Sequence, residues 1–157
     1  MKINKYIDST LLKPEATKED VIEFCKEAIE NDFAAVCLHV SRIKLAKEML
    51  KNSNIEISGT VGFPFGNTSV EVKILEAKES IKMGATEIDF VINIGYVKDH
   101  NWELVLNELK EIKKAIPNNI VKVILENCLL TNEEIVKCCK LACEAKIDYV
   151  KTSTGYS

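Results

Sequence analysis

The chain has 157 residues, 46% hydrophobic and 29% charged, with 21 Lys+Arg against 24 Asp+Glu for a net charge of −3. This is the size and balance of one globular domain with a real core, and it excludes a basic nucleic-acid face. No apolar run approaches the ~18 residues of a membrane span, and residues 1–8 carry no apolar signal core, so the expectation is a cytoplasmic protein without a membrane partner.

The pattern alternates in chain order. A first short strand is expected over residues 5–10, followed by a helix over 18–31 that Thr17 introduces. A β-rich run at 34–39 and a helix at 41–50 come next, then a strand at 56–61 and a helix at 69–83 that Gly84 ends. Strand 87–92, helix 102–116 closed by Pro117, and strand 120–126 follow. Helix 132–145, opened by a Thr131/Glu134 capping box, leads into a last strand at 148–151. Strands alternating with helices of this length imply parallel βαβ units. No linker or composition shift marks a second domain, so residues 1–157 read as a single unit.

The six cysteines lie inside these patterns with no Cys-x-x-Cys pair, and read as reduced thiols packed as small apolar groups. Cys139 and Cys143 are four apart on one helix, yet no histidine is near enough in sequence to complete a zinc site. No Gly-x-Gly-x-x-Gly follows the first strand, which argues against a dinucleotide-binding sheet.

Polar residues gather where the strands end, as in a (β/α)8 barrel, whose chemistry sits at the C-terminal ends of its strands. Those ends read Asp8-Ser-Thr10, Cys37-Leu-His39, Thr60 to Gly66, Asp89 to Gly95, Glu126-Asn-Cys128 and Lys151 to Gly155. Strand alternation puts Asp89 with Val91 and Asn93 on one face, and Lys122 with Ile124 and Glu126. Lys151 alone has two readings: a solvated strand end, or an amine that forms Schiff bases with carbonyl compounds. A second ammonium on the neighbouring strand, Lys122, would favour the free-amine form of Lys151. Lys122 itself either tunes that charge or pairs with Glu126 or Asp148.

The segments at residues 61–66 (Val-Gly-Phe-Pro-Phe-Gly), 87–95 (Glu-Ile-Asp-Phe-Val-Ile-Asn-Ile-Gly), 121–126 (Val-Lys-Val-Ile-Leu-Glu) and 150–155 (Val-Lys-Thr-Ser-Thr-Gly) resemble, in this order, the deoxyribose-phosphate aldolase family. Residues 7–12 (Ile-Asp-Ser-Thr-Leu-Leu) are similar to that family's opening segment. The resemblance implies a TIM-barrel fold of the (β/α)8 type, present here as about six strands and five helices of one incomplete domain that lacks the last two βα units. It implies a lysine Schiff base at Lys151, acid/base work by Asp89, and no metal or organic cofactor. It further implies substrate-side positions at Lys122, Cys37, Asp8, Thr10, Thr154 and Gly155. Cys37 has packing as its other reading. The expected partners are a sugar phosphate and an aldehyde, together with further copies of the chain or a complementing chain. The family's second active-site lysine and its glycine-rich phosphate loops have no counterpart here, so a catalytically silent assembly unit is the alternative to an active aldolase. His39 and His100 are expected to be structural.

Overall fold

The computed structural model describes residues 2–157. Strands and helices alternate along them as β1 (Asp8–Leu11), α1 (Lys18–Glu30), β2 (Ala35–Leu38), α2 (Val40–Leu50), β3 (Glu56–Val61), α3 (Val70–Met83), β4 (Glu87–Val91), α4 (Ile94–Lys98), α5 (Trp102–Ala115), β5 (Ile120–Ile124), α6 (Asn132–Glu144) and β6 (Tyr149–Lys151). Strand order follows chain order, and the β1–β2, β2–β3 and β5–β6 ladders are parallel. This is the βα alternation that the sequence pattern implies. The chain divides into two compact units, the first running to Thr60 with Glu79–Glu87 added, the second comprising Val61–Lys78 and Ile88–Ser157.

In the first unit, α1 starts at a capping box in which the Thr17 side chain accepts from Asp20 N and the Asp20 side chain accepts from Thr17 N. Two orphan donors of the first turn are thereby satisfied. Its buried residues Val21, Cys25 and Ala28 recur at helical spacing, as do Ile43, Ala46 and Leu50 of α2. All four residues of β2 are buried, as expected of a strand covered on both faces. The first strand begins later than the sequence pattern predicts, because Ile3–Tyr6 forms a 3-10 helix. Local turn bonds from Lys5 N to Lys2 O and from Ile7 N to Asn4 O hold it, and the Asn4 and Lys5 side chains are tied to Asn31 and Asp32 after α1.

In the second unit the core is built from Phe90 and Ile92 around β4, Val105, Leu109 and Ile112 on α5, Val121 and Val123 on β5, and Cys138 and Leu141 on α6. The Thr131/Glu134 capping box opens α6 as the sequence indicates. A helix beyond the five expected ones, α4, lies between β4 and α5; Asn93 caps it by accepting from Tyr96 N at 3.2 Å. At five residues it is too short to leave a periodic signature. The thiols split by environment: Cys25, Cys37 and Cys138 are buried, whereas Cys128 and Cys143 are exposed and so do not pack as core groups. Burial pushes the Cys25 and Cys138 thiols up to about 11.

Candidate active site

Asp89 is the third residue of β4 and is fully buried. A buried carboxylate needs partners that offset its lost hydration. Here two amines from the next strands supply them. Lys151, the last residue of β6, donates to Asp89 Oδ2, and Lys122 Nζ lies 3.6 Å from Asp89 Oδ1. The three differ in access: the Asp89 side chain is 0% exposed and that of Lys122 8%, whereas that of Lys151 is 29% exposed. Solvent therefore reaches the nucleophile candidate while its carboxylate partner stays covered.

The β5–β6 register pairs Ile124 with Lys151 and Lys122 with Tyr149. The two lysines thus share a face but stand two residues apart along the strand direction, diagonal neighbours rather than a directly opposed pair. Asp148 accepts instead from Lys113 Nζ at 2.6 Å and from Val121 N at 2.8 Å. Burial raises its carboxyl, but these donors outweigh that and hold it below the usual carboxylate range.

Glu126 departs from simple strand alternation. The strand stops at Ile124, and Glu126 adopts φ 55, a left-handed conformation uncommon outside glycine. Its carboxylate, nearly covered, accepts from Thr154 N at 3.1 Å, from the Thr154 hydroxyl and from Ser157 Oγ at 3.2 Å. It staples the loop after Lys151 to the end of β5, where Leu125 N and Asn127 N also donate to Lys151 O and Thr152 O. The N–H of Thr154, expected on the substrate side, is directed at Glu126. Gly155 has φ 84 and open space around it, with nothing within 4 Å of an added Cβ.

The remaining candidates belong to the first unit. Cys37 is buried in β2, where it pairs with Thr10 of β1 and Ser58 of β3. Thr10 is exposed, and its hydroxyl donates to Asp8 O at 3.1 Å. Asp8 is the first residue of β1 and so marks the strand's start, not its C-terminal mouth, because the 3-10 helix delays the strand. His39 Nε2 donates to Leu12 O at 3.0 Å with Nδ1 3.2 Å from Thr60 Oγ1. His100 stacks on Trp102.

A second lysine–carboxylate group escaped the sequence reading. Lys73 of α3 and Glu108 of α5 are both 0% exposed, with Nζ 2.6 Å from Oε1. Glu108 lies among Val105, Leu109 and Ile112 on the buried stripe of its helix. A charge on an apolar stripe was the available signal. Its partner, 35 residues away, was not.

Profile comparison matches residues 3–157 to a family described as DeoC/LacD family aldolase. The chain is 57% identical to a deoxyribose-phosphate aldolase of Mycoplasma capricolum subsp. capricolum, over all of this chain and 71% of that protein. Among solved structures, it superposes on a putative deoxyribose-phosphate aldolase from Coccidioides immitis with TM-score 0.97 at 35% identity, covering 99% of this chain and 62% of that one. A deoxyribose phosphate aldolase from Aeropyrum pernix, described as tetrameric, gives TM-score 0.89 at 33% identity, covering 98% and 65% respectively.

Proposed function

Since the chain belongs to the DeoC/LacD aldolase family, we propose that it carries the reversible aldol cleavage of 2-deoxy-D-ribose 5-phosphate through a Schiff base on Lys151. The observation that carries this reading is the buried Asp89 carboxylate joined to Lys151 and close to Lys122. Lys151 passes a proton to Asp89 and, as the free amine, adds to the aldehyde carbon; Asp89 returns that proton as the carbinolamine loses water. The iminium then takes up the electron pair of the breaking C2–C3 bond as the C3 hydroxyl gives its proton to the Asp89 carboxylate, and D-glyceraldehyde 3-phosphate departs. Protonation of the remaining enamine and hydrolysis release acetaldehyde and restore the amine. Lys122, with Nζ 3.6 Å from Asp89 Oδ1, helps hold that side chain in place between these steps. The open backbone at Gly155 is a candidate neighbour for the phosphate. Self-association, as in the tetrameric relative, is proposed for this chain too.

Incubation with 2-deoxy-D-ribose 5-phosphate should yield acetaldehyde and D-glyceraldehyde 3-phosphate in equal amounts, and Lys151→Met should yield neither. Equal product from both proteins would overturn the proposal, and no product from the parent chain would favour the silent assembly unit.

A further inference from the structure

We propose that Lys73 and Glu108 are positioning residues for the Asp89 centre, a sealed ionic clamp fixing the exit of β4 and the loop at residues 62–66. The proposal rests on the aldolase reading above and adds a role that reading does not require.

Each polar bond of the pair leads to this one place. Beyond Glu108, Lys73 Nζ donates to Gly66 O at 2.6 Å and to Val91 O at 2.8 Å. The second Glu108 oxygen accepts from Asn93 N at 2.8 Å. The clamp therefore grips the end of β4 and the residue that caps α4, two and four residues beyond Asp89, the nearer point roughly 7 Å along the strand. The loop is fitted to the same grip. A Cβ on Gly66, at φ +71, would come 2.0 Å from Ile92 O, and one on Gly62, at φ +59, would meet Lys73 Cε at 2.8 Å. Gly62 N donates to Glu76 Oε2 of α3 at 2.8 Å, so the helix that carries Lys73 also holds the loop's other end.

Stability alone is a weak reason for such a pair, since apolar residues of similar size often replace buried ion pairs without loss. An apolar pair would still join α3 to α5. It would leave Gly66 O, Val91 O and Asn93 N without their partners, and these groups set where the strand after Asp89 leads. A displacement near 1 Å at a reacting group costs on the order of 100-fold in rate.

The test is the rate at which borohydride traps acetaldehyde on Lys151, read by mass spectrometry of the whole chain, with thermal melting recorded in parallel. Lys73→Met/Glu108→Gln removes both charges and takes the donor from Gly66 O and Val91 O; Lys73→Met/Glu108→Leu also takes the acceptor from Asn93 N. Ile112→Val, a cavity on the same buried stripe of α5, serves as the structural control. The clamp predicts trapping 10- to 100-fold slower in whichever clamp variant folds, and slower than in Ile112→Val at equal loss of melting temperature. Trapping within twofold of the parent rate in a folded clamp variant overturns the proposal, as does equal slowing in the control. Should neither clamp variant fold, Gly66→Ser is read in the same way, since it displaces the loop without touching either charge; an unchanged rate there also overturns it. If the parent chain traps no acetaldehyde, it is the imine reading that fails.

Discussion

Two lysine–carboxylate groups stand in the second unit, alike in charge and opposite in design. At Asp89 the carboxylate is covered while Lys151 remains 29% exposed; at Glu108 both partners are sealed. Burial pushes the Lys73 ammonium down and the Glu108 carboxyl up, each drawn back by the other's charge. The remaining bonds of the sealed pair all end on backbone groups, so its geometry is fixed from several sides. The open group keeps a lysine at the end of a strand, where an electrophile can reach it. On the proposed reading, exposure of the cation, rather than the pairing itself, separates a nucleophile from a clamp.

The sharpest way to break this comparison is to remove each cation in turn. Lys151→Met should abolish aldehyde trapping and product formation while the melting temperature stays near the parent value; residual turnover above about a thousandth would contradict the contrast. Asp89→Asn keeps the shape of the carboxylate and removes its proton chemistry, so turnover should fall by about 10²–10⁴-fold with folding retained. An unchanged rate would take Asp89 out of the reaction.

On the sealed side, Lys73→Met strands a buried carboxylate and should cost about 3–5 kcal/mol in denaturant unfolding. Adding Glu108→Gln should return part of that loss, and a double variant less stable than Lys73→Met would show that the two groups do not act as a pair. The smallest expected effect concerns Asp148, just before the last strand. Its carboxyl is held below the usual range in the folded chain. The stability it gives is complete above the unfolded value of about 3.9 and is lost as the pH falls through the lower folded value. Asp148→Asn should therefore flatten the acid limb of stability against pH below about 4, and an unaltered limb would discount the Lys113 and Val121 bonds.

Much of this was legible in the chain because it is local. The capping boxes at Thr17 and Thr131 and the β–α alternation depend on residues within a few positions of one another. Asp89, Lys122 and Lys151 stood out because a charge inside an apolar strand pattern calls for a partner. What the sequence did not disclose depends on distant contacts. The 3-10 helix at Ile3–Tyr6 is held against residues after α1, and the left-handed Glu126 is matched to a loop 28 residues away. Lys73 and Glu108 each lie on a helix whose stripe is otherwise apolar or small, and only the folded chain brings them together.

The most direct measurement is the position of the label after treatment with acetaldehyde and borohydride. The account predicts one ethyl group, on Lys151, with Lys122 and the sealed Lys73 unlabelled. Label spread over exposed lysines such as Lys26 and Lys82, or persisting unchanged in Lys151→Met, would contradict it.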